Sequence, residues 1–377
     1  MSPRQQSMIS STNSFTKITL AGCCLLLCIA GCSTSGPATT VEKVQDSPVI
    51  AVMPIDNLSG IAAPLIGIRS EIVFHLEKSA VSVVPDDQIE GFIVRHRLRY
   101  TGGMDNETAR LLKEEIGADA VLFTALEYYN GQPPPKIALS ARLVTAGDRP
   151  RILWMDGVGA AGDDAPGFLE LSLVEDPDIL LRRAIFQLTT SLVGHLSGQH
   201  ATAAETRRTF EPQIVFNSRL LLPNRTYSVV VLPFLNLSTR RHAGQMMTHH
   251  FTAALKGLAN MQPVEPGQVR QTLLNFRIVM QDGLSLADAT ALFSRMNVDL
   301  ILSGRVFDYE DYQGAGGPAK VCFSASLIEH QTRESAWAAS SCRDGDDGVV
   351  VFDWGTIRTA HGLAAAMVNG AVATLER

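Results

Sequence analysis

The chain has 377 residues, 32 of them Lys or Arg and 38 Asp or Glu, for a formal net charge of −6. That balance offers no basic footprint for a nucleic acid. With 46% hydrophobic and 19% charged residues the composition is that of packed globular domains, not of a disordered chain, and the length suits two domains of roughly 100–200 residues each.

The first element in chain order is an address. Arg4 and Lys17 precede an apolar run from Ile18 to Gly31, and no acidic residue occurs among the first 31 positions. A run this short does not span a bilayer, which takes ~20 apolar residues, but it suits the apolar core of a secretion signal. Ile29-Ala30-Gly31-Cys32 then reads as a lipobox. Small residues directly before a cysteine resemble the site cut by the bacterial lipoprotein signal peptidase, which leaves Cys32 as a diacylated N-terminus. No second stretch of spanning length follows, so the lipid is expected to be the only anchor. Ser33, rather than Asp, after the cysteine points to the outer membrane of a Gram-negative cell, with the protein facing the periplasm. Residues 32–47 read as a lipidated polar tether.

The Val/Ile-rich run Val49 to Met53 marks a strand buried on both faces, ended by Pro54. Asn57 and Ser59 follow at a strand-to-helix turn, where their side chains are expected to satisfy backbone donors. Ile68, Ile72 and Leu76 lie at helical spacing, and a short strand over Val81 to Val84 ends at Pro85. Asn106 opens the next helix, Glu107 to Ile116, and Gly117 closes it. A long strand through Ala120-Val121-Leu122, a hairpin around Gly147 and a closing helix from about Asp178 to Leu196 complete the unit.

The same order then recurs. Val49 to Ser59 matches Ser228 to Ser238, Ala118-Asp119-Ala120-Val121-Leu122 matches Val298-Asp299-Leu300-Ile301-Leu302, Leu139 to Val144 matches Phe323 to Ile328, and Trp154 matches Trp337, at a near-constant offset of about 180 residues. In the second copy Met247, Phe251, Ala254 and Leu258 mark the first helix, and a weaker strand lies near Pro263. Ser285 with Asp288 forms a capping box with Leu284 as its staple, and the closing helix runs from about Trp354 to Glu376. The expected fold is α/β: two tandem sandwich-like domains, each a mixed sheet with flanking helices in the order β-α-β-α-β-β-β-α. The first covers 48–197 and the second 226–377. The linker 198–225 carries apolar Ile214-Val215-Phe216 and Leu220 to Leu222, expected to dock on a domain.

Of six cysteines, Cys23, Cys24 and Cys28 leave with the signal and Cys32 carries lipid, so Cys322 and Cys342 remain as thiols. They sit on two strand-like runs joined by a turn at Gln331-Thr332. A hairpin centred there sets the pair opposite each other, with Cβ atoms ~4.5–5.5 Å apart, near what a disulfide needs. An oxidising compartment favours closing it; the alternative is two buried thiols one register step out of line.

No catalytic residue, metal ligand or cofactor motif emerges. Gly-x-Ser-x-Gly, phosphate-loop and His-Glu-x-x-His patterns are absent, so an enzyme is not expected. Asp344-Gly345-Asp346-Asp347-Gly348 puts Gly348 and Gly355 where a calcium loop needs oxygen ligands, and it reads as a solvated turn. His249 and His250 are adjacent and point different ways, unlike an i, i+4 metal pair. Trp154 and Trp337 read as packing residues.

The Val-rich strand, Pro, Asn-Leu-Ser, then Gly-Ala-Asp-Ala-Val-Leu with a downstream Tyr and a hairpin reaching Trp154, resembles the CsgG-related periplasmic domains of outer-membrane lipoproteins. These are similar in fold to the amino-terminal domain of TolB and to LpoB, the lipoprotein activator of penicillin-binding proteins. The resemblance covers about 48–197 and 226–376. It implies a non-enzymatic, lipid-anchored interaction and assembly module in envelope biogenesis or secretion, with envelope protein partners and a possible oligomer. The alternative is a small-ligand or glycan-binding lipoprotein using the cleft between its domains. The segments near 59–67 and 130–136 are too short for the membrane hairpins of the curli channel, since crossing takes strands of ~9–11 residues. A pore formed by this chain alone is not expected.

Overall fold

A computed structural model describes residues 48–164, 173–199, 208–278, 283–312, 314, 317–347, 349 and 355–376. The signal segment, the lipobox residues Ile29, Ala30, Gly31 and Cys32, and the tether lie outside these residues, as do Gly348 and Trp354.

In the first half β1 (Ile50–Val52) runs parallel to β3 (Ala120–Asn130), which continues antiparallel into β4 (Lys136–Thr145) and β5 (Ile152–Ala161); β2 (Asp56–Asn57) also pairs with β3. Side chains alternate across these strands, and two cores follow from that alternation. Ile50, Val52 and Leu122 face α1 (Leu65–Lys78) and α4 (Pro177–Leu196). Ala51, Met53, Val121 and Phe123 face Ile89 and Phe92 of α2 (Asp86–Arg95) and Ala109 and Leu112 of α3 (Asn106–Ile116).

The second half repeats the plan with β7 (Tyr227–Val231), β8 (Leu235–Asn236), β9 (Met261–Pro263), β10 (Leu300–Glu310), β11 (Lys320–Glu329) and β12 (Ser335–Asp344). Its helices are α5 (Ala243–Lys256), α6 (Pro266–Asn275), α7 (Leu286–Met296) and α8 (Ala360–Val372), the last followed by a 3₁₀ turn (Ala373–Glu376). Part of the linker belongs to this sheet: β6 (Ile214–Asn217) pairs antiparallel with β12 at its edge.

The duplication extends to single hydrogen bonds. The Asp119 carboxylate accepts the Val49 amide at 2.9 Å, and Asp299 accepts the Ser228 amide at the same distance. Asn57 and Asn236 each accept the amide and hydroxyl of the serine two residues on, the turn chemistry expected of them. Trp154 Nε1 donates to Ser191 of α4, and Trp337 Nε1 to Thr374 just beyond α8. A bulge interrupts β3 between Leu126 and Tyr128 and β10 between Val306 and Asp308. Cys322 and Cys342 stand opposite each other on β11 and β12 and are joined by a disulfide, with Cα atoms 4.0 Å apart.

Each half holds one helix more than the periodicity suggested. α2 and α6 are ten-residue helices that begin directly after Pro85 and Glu265, where the sequence reading stopped at a strand end. The strand expected over Val81 to Val84 is a single bridge between Val83 and Ile50, whereas its weaker counterpart, β9, pairs fully with β7. α3 is capped by Asp105, which accepts the Thr108 amide, so Asn106 is the first helical residue and not the cap. The capping box at Ser285 and Asp288 is formed. The second closing helix starts at Ala360, capped by Thr359, later than Trp354.

The two halves form one compact unit by stacking in layers. α1 and α4 are amphipathic and leave Ile66, Phe74 and Phe186 exposed on their outer side. α5 and α8 are buried nearly all round, at Met246, Met247, His249, His250 and Phe251 and at Ala360, His361, Leu363, Ala364, Met367 and Val368. A helix apolar on every side must be covered on every side. Sheet 2, the β6–β12 sheet, covers one side, and the end of the second face of sheet 1 that α2 and α3 leave free, from Ala125 onward, covers the other; together with α2 and α3 this buries β3 continuously from Ala120 to Tyr128. The order is α1/α4, sheet 1, α5/α8, sheet 2. Among the described residues no helix is long and apolar enough to cross a membrane.

Candidate functional site

The seam between sheet 1 and the α5/α8 layer gathers most of the buried charge. On β4 the alternation that sends Ile137, Leu139 and Leu143 toward α1 and α4 sends Lys136, Ser140 and Arg142 toward the second half. Lys136 donates from Nζ to the carbonyls of Tyr312 (2.9 Å) and Arg358 (3.2 Å). Burial lowers its pKa, against the pull of Asp163 and Asp311. Arg142 forms a two-point pair with Glu265, Nε to Oε2 at 2.9 Å and Nη2 to Oε1 at 2.8 Å. Arg358 meets Asp163 at 3.3 Å.

At the centre lies Glu127, placed on the bulge of β3. A bulge re-aims one side chain of a strand, and here it delivers a carboxylate against the helices of the other half. Glu127 Oε2 lies 2.6 Å from His361 Nδ1, and Oε1 lies 3.6 Å from His249 Nδ1. His249 Nδ1 is also 3.4 Å from Ser140 Oγ. His250 turns the other way around α5: its Nε2 is 3.1 Å from the Tyr309 hydroxyl, and its ring centroid is 4.6 Å from that of His361 with the planes inclined at 54°. Arg240 donates to the Glu127 carbonyl at 2.6 Å. Gly157 and Gly159 on β5 let the start of α8 approach. A Cβ on Gly157 would meet His361 Cε1 and Nε2 at 2.5 Å, and one on Gly159 would meet Thr359 Oγ1 at 2.4 Å.

Burial works against the charge of Glu127, yet the facing His361, with His249 and His250 beside it, outweighs burial and holds the carboxyl well below its usual range. Burial, followed by the repulsion of His361, pushes His250 down to about 3, so its imidazole is neutral near pH 7. Burial and the nearby Glu127 raise Tyr309 well above the usual phenol value, which keeps its hydroxyl protonated. A cavity of about 270 Å³, lined by Glu127, Ser140, Asp156, His249, His250 and His361, adjoins the cluster. The arrangement is one carboxylate and several imidazoles held out of water at the join of two halves, which suits holding a cation or fastening the join.

A second feature is the empty counterpart of this seam. The match of Leu139 to Val144 with Phe323 to Ile328 places Ser324 where Ser140 stands and Ser326 where Arg142 stands. In sheet 1 these positions meet the second half; in sheet 2 Ser324 and Ser326 line an open groove of about 610 Å³ with Ser303, Arg305, Ala338 and Ser340. β6 forms its rim and exposes Ile214 (67%), Val215 (44%) and Phe216 (51%). The bulge residue there is Phe307, also exposed.

Of the residues singled out from sequence, Cys322 and Cys342 are paired on the β11/β12 hairpin, Trp154 and Trp337 are core residues, and Asp344 ends β12 with Gly345 to Asp347 making the turn after it. His249 and His250 do point apart, as their adjacency requires, but both are buried in the seam. Glu127 and His361 were missed. Glu127 is the lone acid within Ala120-Val121-Leu122-Phe123-Thr124-Ala125-Leu126-Glu127-Tyr128, a run apolar enough to be buried on both faces, and a buried acid needs a partner. His361 lies in the first turn of a helix that, Asn369 apart, is otherwise built of Gly, Ala, Leu, Met and Val.

No protein-family model matches the chain, and no curated protein matches it. Among solved structures, the PelC dodecamer from Paraburkholderia phytofirmans is similar at 16% identity over 43% of this chain and 95% of that chain, with a TM-score of 0.31. Lipoprotein GNA1162 from Neisseria meningitidis is similar at 20% identity over 38% of this chain and 99% of that one, TM-score 0.28. The LpoB C-terminal domain from Escherichia coli is similar at 14% identity over 32% and 86%, TM-score 0.25.

Proposed function

We propose that the protein is a lipid-anchored module of the Gram-negative outer membrane, facing the periplasm, which docks the helical surface of another envelope protein during envelope assembly or secretion. The observation that carries this reading is the open groove on sheet 2. It occupies the positions that, on sheet 1, seat α5 and α8, so among the described residues one seat of this kind is filled and one is not. The occupant that fits is a pair of helices with small side chains on the docking face, as α5 and α8 present Ala253, Ala254, Gly257 and Ala365 at the seam. The lipobox at Cys32 and the Cys322–Cys342 disulfide support an exported, membrane-tethered setting.

The alternative of a glycan or other small ligand between the halves is less well supported. The seam cavity of about 270 Å³ falls below the ~300–1,000 Å³ usual for ligand pockets.

Photo-crosslinkers placed at Ser324, Ser326 and Ala338 in intact cells test the proposal. A defined adduct that is lost when Phe216→Lys blocks the rim supports it, and the adduct's mass separates a different envelope protein from a second copy of this chain. Absence of any adduct from a correctly folded, membrane-bound protein counts against it. Cys32→Ala is expected to move the protein from the membrane to the soluble fraction, because the lipid is its only expected anchor; retention in the membrane would remove the lipoprotein half of the reading.

A further inference from the structure

We propose that Glu127, His250 and His361 bind a divalent transition cation, Zn²⁺ by donor chemistry, across the seam between the two halves. Each offers one donor atom, and the three atoms lie within 4.8 Å of one another. All three residues are buried. The second oxygen of the carboxylate, Glu127 Oε1, is buried and makes no hydrogen bond. Such an atom is costly to keep out of water, and a bound cation would satisfy it. His249 Nδ1, outside this donor set, is 3.6 Å from that oxygen.

The donor set narrows the choice of ion. Two imidazoles and one carboxylate form the protein half of open zinc sites, with Zn–N near ~2.0–2.1 Å and Zn–O near ~2.0–2.2 Å. Calcium and magnesium prefer sites made of oxygen, and the absence of thiolate or thioether from this donor set disfavours Cu(I). The cation takes the place of the proton that joins Glu127 to His361 across 2.6 Å. Ligating imidazoles are oriented through a hydrogen bond on their other nitrogen, and the contact between His250 Nε2 and the Tyr309 hydroxyl at 3.1 Å is of that kind. The adjoining cavity of about 270 Å³ gives the ion a path and room for a water ligand.

Glu127 comes from β3 and the two histidines from α5 and α8, so a cation here ties sheet 1 to the second half and stabilises the stacked form over the separated one. The inference stands whether or not the sheet 2 groove docks a partner.

The test is a titration of the full chain, stripped with a chelator, with Zn²⁺ alone. Expected are one equivalent bound, a rise in melting temperature that EDTA reverses, and a zinc X-ray absorption spectrum with a nitrogen/oxygen shell containing imidazole. Glu127→Gln and His361→Gln are expected to lose binding, and Tyr309→Phe to weaken it by roughly 10–100-fold. His330→Gln, outside the seam, should leave it unchanged. Near-UV circular dichroism reports whether each variant folds. Failure of the wild-type chain to bind zinc overturns the proposal, as does equal binding by folded Glu127→Gln and His361→Gln. If the variants unfold, the wild-type absorption spectrum decides: a shell with imidazole supports the site, and one with sulfur or oxygen alone overturns it.

Discussion

Arg142 of β4 and Glu265 at the head of α6 form a two-point ion pair across the two halves, with only 4% and 0% of their side chains exposed. Arg142 also donates to the Gly102 carbonyl, and Glu265 Oε1 accepts the Gly267 amide at 3.3 Å, so the pair joins the halves and caps a helix together. Burial opposes the guanidinium charge, but the facing Glu265 outweighs it and Arg142 stays charged.

Removing one member leaves the other charge buried alone. Glu265→Gln or Arg142→Met should therefore cost on the order of 3–5 kcal/mol, read by urea denaturation. The double variant should cost less than the sum of the single changes, because the two residues act as one unit. Additive losses would show that the pair is not energetically coupled.

Asp299 supplies the pH dependence that is simplest to assign. Partial burial raises its pKa, but hydrogen bonds from the amide and hydroxyl of Ser228, together with Arg225, pull it below the usual carboxylate value. A carboxyl depressed in the folded state contributes stability above its unfolded pKa, and loses that contribution as the pH falls through the folded value. Asp299→Asn should lower stability at pH 7 by about 1–2 kcal/mol and flatten its fall below about pH 4. Thermal melts from pH 7 to pH 2 check both parts. A variant that parallels the wild type throughout would remove Asp299 from the account.

Gly157→Ala places a methyl group where His361 Cε1 and Nε2 now lie, 2.5 Å away. The buried His361 ring must give way to the methyl group, so the expected loss is about 1–3 kcal/mol. Gly117→Ala, at a residue with φ of 75° and no neighbour within 4 Å of the new Cβ, is expected to act through backbone strain alone. The two can be told apart by histidine proton resonances, which only Gly157→Ala should shift.

The disulfide closes the β11/β12 hairpin, whose cysteines lie 20 residues apart. Replacing both by Ser should lower stability by roughly 2–3 kcal/mol while leaving the far-ultraviolet spectrum unchanged, since β11 remains paired with β10 through the Leu300 to Glu310 register. Loss of the sheet signal would mean that the bond is needed for the register itself.

The duplicated strands and the turn asparagines were legible because each is a local pattern repeated about 180 residues on, and the facing cysteines because their spacing about one turn sets them opposite each other in a hairpin. α2 and α6 were not: ten residues at a proline-marked boundary give too little periodicity to outweigh the reading of a strand end. The seam was hidden for a different reason. Glu127, His250 and His361 sit on a bulge and two separate helices, and nothing in their spacing brings them together. What the sequence did carry was the anomaly of α8, a helix whose only polar side chains are His361 and Asn369, which shows that something must lie on its far face. Sheet 1 proved to be that cover.

The layer order has a directional consequence. At one end Glu71 and Lys78 of α1 and Arg182 and Arg183 of α4 turn charge outward among the exposed apolar groups, as the terminal cap of a repeat array does. At the other end α6 and α7 cover only part of the outer face of sheet 2, and the small-residue groove beside them is what a further helical layer would cover. The molecule therefore has a closed back and an open front, and a neighbour that imitates α5 and α8 meets it from the front only.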